Sequence, residues 1–227
     1  MNVNVPWRTL QTVLLDMDGT LLDLYFDSVF WKEHVPRRYA ETRGLDIPTA
    51  TAALTPIFEK TAGTLDWYCV DYWSRTLGLD IAELKRELAH LIRYKPHTVT
   101  FLEQLRQAEK RVLLVTNAHP KSLALKLEKT TLGDYLDGIV CAHDLGHAKE
   151  EPYFWHVLGD REAFDPSTTL LVDDNVHALR AARHYGIANL LAISRPSPSA
   201  PRIDTGEFPA IEDFDELFPE LASASRT

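Results

Sequence analysis

Five short apolar runs punctuate the chain: Thr12 to Leu15, Arg111 to Val115, Gly138 to Cys141, Thr169 to Val172 and Asn189 to Ile193. Each is rich in Val, Leu or Ile, and polar or small residues follow it. Runs of this length without alternation predict strands buried on both faces, as in a parallel sheet. Helical patterns lie between them. Val99 to Gln107 carries Phe101, Leu102 and Leu105, and Leu123 to Leu127 precedes another strand. Asn175 to Tyr185 is Ala-rich and stops at Gly186, a residue suited to a helix C-cap. Strands alternating with helices predict an α/β fold, a Rossmann-like open parallel sheet with right-handed crossovers.

The stretch from about Asp23 to Lys95 breaks that alternation. It has no convincing strand and many aromatic residues, and Ile81 to Ile92 places Ile81, Leu84, Leu88, Leu91 and Ile92 on one helix face. The expected organisation is therefore a core of residues 1–22 plus 96–227, with 23–95 as an inserted helical subdomain. From Arg195 onward, Pro196, Pro198, Pro201 and Pro209 predict an irregular surface segment.

Length and composition suit a globular chain of one core plus an insert: 227 residues, 45% hydrophobic and 25% charged. The net charge of −9, without a Lys/Arg block, argues against a nucleic-acid polymer or an anionic membrane as partner. A small phosphorylated ligand stays compatible with a local positive pocket. Cys69 and Cys141 sit in apolar surroundings and are read as small buried hydrophobes. No signal-like start or membrane-length apolar run is present, so the cytoplasm is the default compartment.

The chemistry gathers just after the predicted strands. The first ends in Asp16-Met17-Asp18-Gly19-Thr20. Ligands of open parallel sheets bind beyond the carboxyl ends of strands, and two carboxylates two residues apart point to one side of an extended backbone. Close carboxylates are costly unless a cation or a shared proton relieves them. A hard divalent cation is the natural partner, and beside phosphate it is usually Mg²⁺. The second strand delivers Thr116-Asn117, a hydroxyl and an amide that can donate to phosphate oxygens. The fourth delivers Asp173-Asp174, a second acidic pair. Lys149 lies between these two strands, and its ammonium can offset negative charge on a nucleophile and a transferring phosphoryl group. Each piece has a plainer reading alone: a solvated turn, a helix cap, a surface lysine, another helix cap. Together and in this order they supply what metal-assisted phosphoryl transfer to a carboxylate needs.

These residues resemble the haloacid dehalogenase superfamily of phosphohydrolases. The resemblance rests on Leu14-Leu15-Asp16-Met17-Asp18-Gly19-Thr20-Leu21-Leu22, Val115-Thr116-Asn117-Ala118, Lys149-Glu150 and Val172-Asp173-Asp174-Asn175, and it spans nearly the whole chain. It implies that the insert is a helical cap. It implies Asp16 as the nucleophile that becomes an aspartyl-phosphate, and Asp18 as the group that protonates the leaving alkoxide and then activates water. Mg²⁺ would be held by the Asp16 carboxylate, the Asp18 main-chain carbonyl and Asp174, with Asp173 helping directly or through water. Thr116 and the Asn117 backbone would hold the phosphoryl group, and Lys149 would pair with Asp16. One departure is that the lysine motif often continues Lys-Pro, whereas this chain has Lys149-Glu150.

Within the superfamily, Leu65 to Ser74, Thr116 to Lys121, Phe26-Asp27 and Phe30-Trp31 look similar to the bacterial GMP/IMP nucleotidase type. That implies a purine 5′-monophosphate as substrate, with phosphoglycolate, a sugar phosphate or a phosphomutase reaction as alternatives. Trp31, Trp67, Tyr68, Tyr72 and Trp73 can stack on a purine. Packing the insert's own core is the reading for most of them. Arg37, Arg38, Lys60 and Arg75 can meet a ribose or base, or lie on the surface. His119 and Lys121 follow the phosphate loop closely enough to contact substrate. A binding protein on a retained fold has no chemical reason to keep the full catalytic set, and a halide-releasing dehalogenase needs neither a metal nor Asp18.

Overall fold

The computed structural model of the chain describes residues 3–218 and 221. Six strands form one parallel sheet: β1 (Thr12–Leu15), β2 (Arg111–Thr116), β3 (Gly138–Cys141), β4 (Thr169–Asp173), β5 (Asn189–Ile193) and β6 (Ala210–Ile211). Their order is β3-β2-β1-β4-β5-β6. The chain therefore adds β2 and β3 on one side of β1, then returns to place β4 on the other. The switch point lies at β1, and crevices at such points take ligands. Register aligns the ends that matter, because Leu15 lies opposite both Leu114 and Val172.

Both sheet faces are covered, which is why the strands are continuous apolar runs. Val13, Leu15, Val112 and Leu114 pack on one side with Phe101, Leu102 and Leu105 of the helix Thr98–Gln107. Leu14, Leu113, Val115 and Leu171 face the other side. There they meet Phe154, Trp155 and Leu158 of the helix Pro152–Glu162, and Leu179 and Ala182 of the helix Val176–Tyr185. The last of these begins at Asn175, whose side chain accepts from the His177 N–H, and ends at left-handed Gly186.

Between β1 and β2 the chain is helical: α1 (Tyr25–Val29), a π-helical turn over Phe30–His34, α2 (Val35–Arg43), α3 (Ile47–Thr61), α4 (Leu65–Tyr68), α5 (Val70–Leu77) and α6 (Ile81–Glu87). The later helices are α7 (Thr98–Gln107), α8 (Pro120–Lys129), α9 (Ala142–Leu145), α10 (Pro152–Glu162) and α11 (Val176–Tyr185). Local chemistry sets several ends. Asp46 and Asp80 accept from the N–H groups of Thr49 and Glu83, and Gly44 and Gly78 are left-handed at C-caps. This helical insert has its own core around Phe30, Leu54, Trp73, Leu77, Ile81 and Leu84.

Three details differ from the sequence reading. The pattern over Ile81–Ile92 is not one helix: α6 stops at Glu87 and a 3₁₀ turn covers Ala89–Leu91. Leu88, Leu91 and Ile92 are drawn onto Phe26, Ala89 and Leu125, a separate cluster where the insert meets α8. The irregular segment from Arg195 is present, but β6 follows it as a two-residue edge strand paired to β5, too short to leave a run. Cys141 is buried and its thiol donates to the Ala118 carbonyl, whereas Cys69 is only half-buried and caps α5 by accepting from the Tyr72 N–H. Among the described residues no helix is long and apolar enough to cross a membrane.

Candidate active site

β1 carries Asp16 straight off its buried end, where the Asp16 N–H still donates to the Val172 carbonyl of β4. The chain then turns sharply at Gly19, whose φ is +90°. A Cβ here would stand 2.8 Å from the Asp174 carboxyl carbon and 3.0 Å from Pro196 Cβ, so glycine is needed for space as well as for backbone angle. The turn thus brings the first acidic pair against the second.

Lys149 is 2% exposed and sits between two of these acids. Its ammonium is 2.5 Å from Asp16 Oδ1 and 2.7 Å from Asp173 Oδ2. Burial would lower its pKa, but the two carboxylates win and hold it raised, so it stays charged. Burial raises the Asp16 carboxyl to about 6, with Lys149 pulling down and Asp173 pushing up. Asp174 lies well above the usual carboxylate range, through burial first and then through Asp16 and Asp173.

One oxygen of each of Asp16, Asp173 and Asp174 lies within 4.8 Å of the others. Asp16 Oδ2 is buried without a hydrogen-bond partner. An all-oxygen cluster with an orphaned, desolvated acceptor and one balancing lysine fits a small hard divalent cation. Asp18 stands apart from that cluster, with its Oδ1 2.6 Å from Lys126 Nζ. Burial chiefly raises its pKa to about 6, opposed by Lys126.

Thr116 ends β2 and is 1% exposed, its Oγ1 accepting from the Ala118 N–H at 3.0 Å. Its own hydroxyl proton is left to donate. The Asn117 side chain is spent internally: Oδ1 accepts from the Lys149 N–H at 2.9 Å and Nδ2 donates to Glu150 at 2.8 Å. Glu150 also accepts from Asn175 Nδ2 at 2.8 Å and from the Tyr68 hydroxyl at 2.5 Å. The residue that replaces the common proline therefore braces three segments. His119 caps α8, with Nδ1 accepting from the Lys121 N–H and the ring 4.9 Å from His143. Burial lowers its pKa.

These side chains open onto a cavity of about 620 Å³ between the strand ends and the helical insert, within the range of small-molecule sites. Asp16, Asp18, Thr116, Lys149, Asp173, Asp174, Asn117 and His119 all line it, whereas Lys121, which the sequence also offered as a contact, is exposed and pairs with Asp71. The helical insert contributes Trp31, Trp67 and Tyr68 to the lining, the last with its hydroxyl on Glu150 beside Lys149. Trp73 is fully buried and donates to the Trp67 carbonyl, so it packs the insert's core. Arg37, Arg38, Lys60 and Arg75 are not among the lining residues.

A family model described as haloacid dehalogenase-like hydrolase matches residues 10–186. The chain belongs to that family. It is 37% identical over 221 residues to the GMP/IMP nucleotidase YrfG of Escherichia coli, covering 97% of this chain and 100% of that protein. It is 24% identical over 179 residues to the pyrophosphatase PpaX of Bacillus velezensis, covering 79% and 81% of the two chains. The haloacid dehalogenase-family phosphatase of Thermococcus onnurineus superposes with a TM-score of 0.77 at 24% identity, over 93% of this chain and 98% of that one, a likeness of fold.

Beside the residues expected of a haloacid dehalogenase-like hydrolase, the cavity wall holds Lys85 and Lys126, which sequence reasoning passed over, and Asp27, which it noted only within a similar segment and gave no role. Lys126 pairs with Asp27 at 2.6 Å as well as with Asp18, and Lys85 pairs with Asp27 at 2.8 Å. Burial would raise Asp27, but Lys126 and Lys85 hold its carboxyl well below the usual range. The available signal was a lysine in line with apolar positions of its helix, Lys85 four residues after Ile81 and three before Leu88, and Lys126 three after Leu123.

Proposed function

We propose that the protein is a Mg²⁺-dependent phosphomonoesterase working through an aspartyl-phosphate on Asp16, with a purine nucleoside 5′-monophosphate such as GMP or IMP as substrate. The observation that carries this reading is the single cavity that joins the Asp16–Lys149 pair and the acidic cluster to the Trp31/Trp67 wall. One end suits a phosphate and the other a planar base. The GMP/IMP nucleotidase relative, similar over its full length, supports the choice of substrate.

Residues 23–95 then act as a cap over a core of 1–22 and 96–227. The Asp16 and Asp174 carboxylates and the Asp18 main-chain carbonyl would hold Mg²⁺, with Asp173 in support. When bound, the cation supplies positive charge against the phosphoryl oxygens. Lys149 holds Asp16 as a carboxylate aimed into the cavity, and Thr116 with the Asn117 backbone donates to the phosphoryl oxygens. In the first step an Asp16 oxygen forms a bond to phosphorus, the phosphorus–ester oxygen bond breaks, and Asp18 gives its proton to the leaving oxygen. In the second, Asp18 takes a proton from water, the water oxygen bonds to phosphorus, and the Asp16–phosphorus bond breaks to release inorganic phosphate. Trp31 and Trp67 shape the base end, Tyr68 reaches Glu150 beside Lys149, and His119 borders the phosphate loop.

A phosphate-release screen tests this. GMP, IMP, AMP, pyrimidine monophosphates, phosphoglycolate and sugar phosphates are compared in Mg²⁺, before and after EDTA. The expected result is fastest release from GMP or IMP, without a bisphosphate activator, lost on chelation and restored by Mg²⁺. Equal rates across the panel would remove the nucleotide assignment, and activity unaffected by chelation would remove the metal.

A further inference from the structure

Lys126 belongs to none of the motifs that build the phosphate end of the site. It lies on α8 and is 1% exposed, whereas Lys121 and Lys129 of the same helix have about half-exposed side chains. Its ammonium is 2.6 Å from Asp18 Oδ1 on the β1 loop and 2.6 Å from Asp27 Oδ2 on α1. Asp27 Oδ1 in turn accepts from Lys85 Nζ of α6 at 2.8 Å. Four alternating charges thus run Asp18, Lys126, Asp27, Lys85, from the active-site loop through a core helix into the insert. Their formal charges cancel. The ammonium groups also lie over aromatic rings: Lys126 Nζ is 5.3 Å from the Phe26 centroid, and Lys85 Nζ is 4.5 Å from that of Phe30.

Burying an ammonium is costly even when it is paired, and replacing such pairs with apolar groups is often neutral or stabilising. A fold-only role would be met more cheaply by leucine at this place. What leucine cannot do is fix the Asp18 carboxylate. A side chain that must meet a departing oxygen loses about 10²-fold in rate from a misplacement near 1 Å.

We propose that Lys126 is a positioning residue for the phosphomonoesterase reaction: it fixes the Asp18 carboxyl on the cavity wall where the alcohol departs, and Asp27 with Lys85 ties that grip to the insert. The inference rests on the reading of Asp18 as the acid for the leaving group. In that step the Asp16–phosphorus bond forms, the ester bond breaks, the Asp18 proton goes to the leaving oxygen, and Lys126 keeps its own protons. An ester whose alcohol is a poor leaving group depends on this transfer. p-Nitrophenyl phosphate does not, because nitrophenolate leaves as a stable anion.

The test compares kcat/KM, which ends at departure of the alcohol, for Lys126→Met and wild type. The two esters are p-nitrophenyl phosphate and the nucleoside monophosphate or other alkyl phosphate that the wild type cleaves fastest. The expected result is a fall of about 10²-fold on the alkyl ester and less than about threefold on p-nitrophenyl phosphate. Equal falls on both esters, or no fall on either, overturn the proposal while leaving the phosphomonoesterase reading intact. A wild type that cleaves neither ester overturns that reading and this inference with it. Where Lys126→Met does not fold by circular dichroism, Asp27→Asn carries the same comparison. It loosens the anchor and leaves Lys126 in place, with a selective loss on the alkyl ester of roughly 5-fold; no selectivity there overturns the proposal as well.

Discussion

Lys149 and Lys126 are both buried ammonium groups set between two aspartates, yet they join different parts of the molecule. Lys149 pairs with Asp16 and Asp173, which end two neighbouring strands, so its cluster lies wholly within the sheet's carboxyl edge. Lys126 pairs with Asp18 on the β1 loop and with Asp27 on α1, so its cluster crosses from the core to the helical insert. The first stands where a phosphate would be attacked, the second where the alcohol would leave. On the proposed roles the sheet edge itself holds the nucleophile, and the insert reaches Lys149 only through the Tyr68 hydroxyl on neighbouring Glu150. The acid, by contrast, is held in part by the element that also shapes the substrate's far end. On the proposed mechanism, attack is a property of the core, while leaving-group protonation depends on the insert being in place.

That contrast can be broken by substitution. Asp16→Asn removes the proposed nucleophile, and phosphate release is expected to fall by about 10⁴-fold or more on every ester, with the circular dichroism spectrum kept. Lys149→Met is expected to lower kcat/KM by about 10²- to 10³-fold on alkyl and p-nitrophenyl esters alike, because the proposed role of Lys149 is in attack and not in departure. It also leaves Asp16 and Asp173 without a buried partner, a loss of about 3–5 kcal/mol that a denaturant melt would detect. If Lys149→Met instead spared p-nitrophenyl phosphate, the division of labour between the two lysines would fail. Trp67→Ala is expected to raise KM for GMP by about 10-fold, the value of one base stack, and to leave KM for phosphoglycolate unchanged. Glu150→Gln deprives Tyr68, Asn117 and Asn175 of a shared carboxylate. At about 1–3 kcal/mol, the expected loss is about 2–10 °C in Tm with only a few-fold change in kcat.

The two clusters also differ in how far they can be read from sequence. Asp16, Asp18, Thr116, Asp173 and Asp174 each follow an apolar run, and a parallel sheet aligns its carboxyl ends, so linear pattern and spatial convergence carry the same information. Lys149 follows no strand directly, and it was legible only because the acids on either side required a cation. Lys126, Asp27 and Lys85 lie on helices, and their partners are 58 to 108 residues away. Helical periodicity tells which face is apolar but not which neighbour that face meets. α8 carries three lysines, and only packing shows that one of them is buried. β6 escaped for a simpler reason, since two residues at a sheet edge make no pattern. The aromatic residues of the insert were divided by packing alone: Trp73 went inward, and Trp31 and Trp67 reached the cavity.

The central claim is covalent attack by Asp16, and it can be observed directly. In Asp18→Asn the group proposed to activate water is gone, so a phosphorylated enzyme should accumulate when the protein is mixed with p-nitrophenyl phosphate and Mg²⁺ and quenched in acid. Mass spectrometry of the intact protein and its peptides is expected to show one added phosphoryl group, placed on Asp16 and absent from the Asp16→Asn/Asp18→Asn double variant. A phosphoryl group on another residue, or hydrolysis with no adduct while Asp16→Asn still turns over, would contradict the account.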